Sequence, residues 1–241
     1  MIDNSSGIKP VKVPFFEFGP KAYLYGEKMI KLAEYADGLA VEYGIDIIID
    51  PQTLDIPEMA RRCKNVRVFA QHMDPIPVGR GMGSVLPEAL KEWGAQGTLL
   101  NHAEKRLSFT DLESAIKRCG QVGLLSMVCT DNPDQAAAIA AYAPDIIVVE
   151  SPLLIGKGSR GAQDNKIIDE INARIRAINP GIRLLHSAGI KTAQDIYSVI
   201  ISGSDGAGSS SALALAEDPY RMFHDMVAAV RQAWDERNPR Q

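Results

Sequence analysis

Asp145-Ile146-Ile147-Val148-Val149-Glu150-Ser151-Pro152-Leu153-Leu154-Ile155-Gly156-Lys157-Gly158 opens with an apolar run that does not alternate and ends on a carboxylate. A strand with one wet face alternates polar and apolar residues, so this run predicts a parallel strand covered on both faces. Glu150 then stands at the mouth of the core. A proline, three large aliphatics and two glycines follow, a composition suited to a hinged flap that lays apolar surface over the carboxylate and turns backbone N–H groups toward an anion. A base beneath a lid is the functional reading, and a solvated strand end is the plain one.

Working outward from that strand, the same unit recurs along the chain. Strands are predicted at 13–18, 45–50, 66–71, 97–101, 123–129, 145–150, 183–186 and 206–210. Helical patterns follow at 22–43, 57–63, 85–93, 111–119, 133–142, 164–178, 192–201 and 219–234. The eighth strand is the weakest, because glycine and serine are poor strand formers. Eight strand-then-helix units with apolar strands predict an α/β fold, a parallel sheet closed into a single-domain (β/α)₈ barrel over residues 14–241, preceded by an arm over 1–13. An open doubly wound sheet would also alternate, but Gly19-Pro20-Lys21 is not the glycine-rich turn that such a sheet carries after its first strand.

Composition narrows the function. Twenty-six basic residues against 30 acidic ones give a net charge of −4 with no basic stripe, which argues against a nucleic-acid partner. The three cysteines, Cys63, Cys119 and Cys129, are odd in number and lack a C-x-x-C pair, so a reducing cytoplasm is expected rather than a disulfide framework or a zinc site. Residues 1–13 lack an apolar signal segment, and no run approaches the ~18 apolar residues of a membrane span.

In a parallel barrel, chemistry sits where strands end and the following loops begin. Lys21 falls just past the first strand, His102 just past the fourth, and Glu150 at the end of the sixth. All three are therefore predicted to converge on one face. Ser187-Ala188-Gly189 after the seventh strand and Ser209-Ser210-Ser211 after the eighth are small enough for backbone amides to approach a phosphate. His72 with Asp74 is half of a metal site at most and reads as loop hydrogen bonding. His224 reads as structural or solvated.

Four stretches carry a resemblance: Ala70-Gln71-His72-Met73-Asp74-Pro75, Gly97-Thr98-Leu99-Leu100-Asn101-His102-Ala103-Glu104-Lys105-Arg106, Val149-Glu150-Ser151-Pro152 with Leu154-Ile155-Gly156-Lys157-Gly158, and Ser187-Ala188-Gly189-Ile190. Together they resemble the triosephosphate isomerase family, and its compact archaeal-type branch most closely, in order from Phe16 to Met226. The resemblance implies Glu150 as base, His102 as proton shuttle and Lys21 as electrophile, with Glu104 supporting the site. It further implies substrate or phosphate contacts from Ile155, Gly156, Ser187, Gly189, Ser210 and Ser211. It implies no metal or organic cofactor, a small phosphorylated sugar as substrate, and a homodimer or homotetramer, with the Gly79-Arg80-Gly81-Met82-Gly83 loop at an inter-subunit contact.

The reaction so implied interconverts glyceraldehyde 3-phosphate and dihydroxyacetone phosphate through an enediolate. One carboxylate can remove a proton beside a carbonyl and return it to the neighbouring carbon, and a lid of Leu153, Leu154 and Ile155 would strengthen that base by excluding water. The chain departs from the family at three places. The asparagine two positions before the lysine is Gly19, so its hydrogen bond is missing or comes from elsewhere; the serine after the histidine is Ala103; and a glycine of the seventh loop is Ser187, preceded by His186. These departures keep two alternatives open: an isomerase of a four-carbon ketose phosphate such as an erythrulose phosphate, and a barrel that binds a sugar phosphate without turning it over.

Overall fold

The computed structural model describes residues 9–150, 162–187 and 189–239, with helix 162–178 described through its backbone alone over its first turn and a half. The flap residues Leu153, Leu154, Ile155 and Gly156, and Ala188, lie outside the described residues. Eight parallel strands close into a barrel in sequence order: β1 Phe15–Phe18, β2 Asp46–Ile49, β3 Val66–Ala70, β4 Gly97–Leu100, β5 Leu125–Thr130, β6 Ile146–Val149, β7 Arg183–His186 and β8 Gly206–Ser209. Helices α1 Gly26–Tyr43, α2 Ile56–Arg62, α3 Pro87–Glu92, α4 Phe109–Val122, α5 Pro133–Ala140, α6 Ala162–Ile178, α7 Ala193–Ile201, α8 Ser211–Ala214 and α9 Pro219–Arg237 form the outer layer. No described helix is long and apolar enough to cross a membrane.

The strands lack hydrophobic alternation because each feeds two cores. Phe15, Ile48, Phe69, Met127, Val148 and Leu185 point inward and fill the barrel. Phe16, Phe18, Ile47, Ile49, Val128 and Leu184 point outward against the helices. Residues 9–13 run across the bottom of the barrel, where Val11 is buried against the inner cluster and Arg67 holds the carbonyls of Lys9 and Pro10.

The glycines of β8 have a steric cause. Phe15 pairs with Gly206 and Glu17 with Gly208, and a Cβ on Gly206 would lie 2.5 to 2.7 Å from three atoms of the Phe15 ring. β1 therefore supplies the inward side chains for both strands at this seam. Gly206→Ala is expected to destabilise the fold by about 1–3 kcal/mol through overpacking. A guanidinium titration checks it, and an unchanged midpoint would mean that the Phe15 ring is free to shift.

Two local differences from the sequence expectation have physical reasons. Helix α1 begins at Gly26 rather than Ala22, because residues 19–25 form a loop over the barrel mouth and the Gly26 N–H is capped by Asp55 Oδ2 at 2.8 Å. The short helix α8 was not foreseen, since four residues are too few to show a period.

Candidate active site

The C-terminal ends of the strands surround a cavity of about 890 Å³ that takes in Lys21, His102, Glu104, Glu150, Ser187, Gly189, Ser210 and Ser211. Every sequence-predicted site residue within the described part of the chain thus meets in one place; Ile155 and Gly156 fall outside it.

Lys21 stands on the loop after β1 with φ of 51°, a left-handed conformation that costs a residue with a Cβ about 1–2 kcal/mol. Two amides hold it there: Gln52 Nε2 and Gln71 Nε2 both donate to the Lys21 carbonyl, at 2.8 and 2.9 Å. The ammonium then reaches Glu104, Nζ to Oε1 2.7 Å, and this pairing holds the Glu104 carboxyl below the usual carboxylate range. Gln52 is not picked out by its residue type in the sequence, and Gln71, though it stands in the first of the resembling stretches, is given no role there.

His102 is placed by its neighbour. Asn101 adopts φ of 58° and ties the loop to β5, its Nδ2 donating to the Cys129 carbonyl at 3.0 Å and its Oδ1 accepting from Leu107 N–H at 3.1 Å. The Glu104 backbone N–H donates to His102 Nδ1 at 3.1 Å. A nitrogen that accepts carries no proton, so the proton of the neutral ring is on Nε2. Nε2 faces Glu150 Oε2 at 3.7 Å, so the imidazole and the carboxylate border the same part of the cavity.

Glu150 follows β6, its N–H bonded to the Thr130 carbonyl at 2.9 Å. Its second oxygen is held by Ser187, whose hydroxyl donates to Oε1 at 2.5 Å. Ser187, one of the three departures, thus touches the carboxylate itself. Across the mouth, Gly189 has φ of 76°, and Ser210 stands at the N-terminal boundary of α8 without a side-chain capping bond. The hydroxyls of Ser209 and Ser210 are buried with no hydrogen-bond partner among the described residues.

The floor of the cavity holds two carboxyls that sequence reading passed over, Glu17 from β1 and Asp50 just after β2. Burial, then the neighbouring carboxyl, pushes Glu17 well above the ordinary range, and burial raises Asp50 to about 7. Of the remaining histidines, His72 lines the same cavity with its Nε2 3.2 Å from Asp74 Oδ1, while buried His186 is 3.0 Å from Asn172 Oδ1 and His224 is 2.9 Å from the Tyr43 hydroxyl.

A parallel barrel whose mouth sets a carboxylate against a neutral imidazole, with an ammonium beside them, has the parts for shifting protons on a carbonyl compound, as an aldose–ketose isomerase does. Comparison with known proteins agrees. The family model described as triosephosphate isomerase matches residues 21–230. A triosephosphate isomerase of Methanobacterium bryantii is 38% identical over 226 residues, 92% of this chain and 99% of the relative. Those of Methanothermus fervidus and Saccharolobus solfataricus are 36% and 32% identical, covering 85% and 92% of this chain and 92% and 99% of the relatives. The chain belongs to the triosephosphate isomerase family, a family of isomerase enzymes.

Proposed function

We propose that the protein interconverts glyceraldehyde 3-phosphate and dihydroxyacetone phosphate. The observation that carries this reading is the opposition of Glu150 Oε2 to a protonated His102 Nε2 across 3.7 Å, beneath the Lys21 loop. Glu150 takes the proton from the carbon beside the carbonyl and returns it to the adjacent carbon. His102 donates from Nε2 to the oxygen that gains charge and carries a proton between the two oxygens, while Lys21 stabilises the enediolate. This division between glutamate base and neutral histidine is the established chemistry of the family. Gly189, Ser210 and Ser211 receive the phosphate, and Ser187 orients the carboxylate. Only protons move, so these side chains suffice.

The test is a panel of three- and four-carbon aldose and ketose phosphates in D₂O, with deuterium uptake at carbon followed by NMR. Turnover of the three-carbon pair alone supports the reading; turnover of four-carbon sugars alone, or of none, overturns it.

The assembly belongs to the same reading. Leu54, Val78 and Met82 are 92%, 70% and 106% exposed, apolar surface of the kind that a second copy covers in a homodimer or homotetramer. Light scattering that returns a monomer at micromolar concentration would reject this. The cysteines Cys63, Cys119 and Cys129 are free and buried, which suits a cytoplasmic setting.

A further inference from the structure

The cavity floor carries acidity that the proton transfer above does not use. Position 17 is the inward residue next above Phe15, where the barrel's layered packing calls for an apolar side chain. It is a glutamate, 8% exposed, next to Asp50, 1% exposed. The surrounding sequence leaves room for that carboxyl. A Cβ on Gly208 would stand 2.2 Å from Glu17 Oε2, and one on Gly19 would stand 2.8 Å from Glu17 Oε1 and 3.8 Å from Asp50 Oδ2. No N–H or hydroxyl donor among the described residues reaches either oxygen of Asp50, which leaves the Glu17 carboxyl as its neighbour.

Two buried carboxylates without a donor cannot both stay ionised. Lys21, the ammonium that favours ionised Glu17, is engaged by Glu104; Glu150 from β6 opposes ionisation, and Cys129 from β5 is held as a neutral thiol by burial. Retaining one proton resolves the conflict, because the hydroxyl of one acid then binds the other. A neutral carboxyl, like a carboxamide, can both donate and accept a hydrogen bond. Here it occupies the space at which a side chain on residue 19 would begin, where the family resemblance places an asparagine. Ser209, 3% exposed, adds an unpartnered hydroxyl to the same cavity.

We propose that Glu17 and Asp50 share a proton in the free protein and that, when substrate binds, the Glu17 hydroxyl turns from Asp50 to donate to a substrate oxygen at the cavity floor, in place of the amide absent from position 19. The proposal rests on reading the cavity as a sugar-phosphate isomerase site. Loss of the shared proton would set a second negative charge against an anionic substrate, so binding weakens as pH rises through the pair's titration.

The experiment compares Glu17→Ala, Glu17→Gln and Asp50→Asn, each checked for folding by circular dichroism. Glu17→Ala is expected to lower kcat/KM about 10²-fold, the scale of one lost oxyanion donor. Glu17→Gln recovers at least about tenfold of that loss and removes the alkaline rise in KM, because an amide donates without titrating. Asp50→Asn moves that rise to lower pH, since an amide donor stabilises ionised Glu17. Equal impairment in the alanine and glutamine variants, or identical pH profiles for the parent protein and Glu17→Gln, overturns the proposal. Infrared difference spectra on adding 2-phosphoglycolate, a phosphorylated carboxylate that mimics the enediolate, supply a readout independent of turnover. A protonated-carboxyl band that shifts on binding and vanishes in Glu17→Gln supports the shared proton, and its absence from the parent protein at neutral pH refutes it. A parent protein that shows the band yet isomerises no triose phosphate overturns the proposed function and not the pair.

Discussion

Glu150→Gln is expected to lower kcat by about 10³-fold, within the range for removing a general base, while binding of a phosphate-bearing analogue persists. The amide keeps the shape of the carboxyl and can still accept from the Ser187 hydroxyl, so the change removes basicity with little change in packing. Uptake of deuterium at carbon should fall in step with turnover, because both depend on the same proton abstraction. Calorimetry with the analogue separates lost chemistry from lost binding. Turnover within a few-fold of the parent protein would remove Glu150 from the proton transfer.

Lys21→Met should lower kcat/KM by about 10²- to 10³-fold, the scale seen when one preorganised charge is taken from a developing oxyanion. Methionine keeps most of the aliphatic stem, and the lost ion pair to Glu104, whose side chain is 63% exposed, contributes at most about 1 kcal/mol to folding. Stability therefore stays near that of the parent, and the activity loss reports the missing ammonium. Lys21→Gly separates the two effects further. Glycine adopts the left-handed backbone at φ of 51° without strain, so that variant should unfold about 1 kcal/mol later in free energy while losing as much activity. A strained residue held by two glutamine amides is what an active site that fixes a charge in advance would contain. Full activity in Lys21→Met would refute the assignment.

The barrel was legible because its strands are apolar on both faces and spaced by helical patterns, a regularity visible in runs such as Ile146–Val149. Its weakest strand, Gly206–Ser209, looked poor because its inward positions are left open for Phe15 and Glu17, a fact that lives on another strand some 190 residues away. Lys21, His102 and Glu150 could be placed from strand ends, and their roles came from motif resemblance. Glu17 could not, since one acid inside Phe15–Phe18 signals nothing until Asp50 and the two glycines surround it. The bond from Ser187 to Glu150 was hidden for the same reason, as the two meet only across neighbouring strands. Gln52 and Gln71 act through amides on a backbone carbonyl, a role that residue type alone does not reveal; Gln71 lies in a resembling stretch, but its task there is visible only in the coordinates.

The seam between β1 and β8 bears on how the chain comes to be made. The first strand to leave the ribosome carries the ring and the carboxyl that must fit against the last, so during synthesis Phe15 and Glu17 wait without their enclosure until residues 206–209 emerge. Pairing across so long a separation is slow to find, and a nascent chain stalled short of that point offers an unclosed sheet edge to its neighbours. Truncated products ending before Gly206 should therefore depend on chaperones and aggregate, whereas a circular permutant that makes β8 and β1 adjacent in sequence would close this seam early.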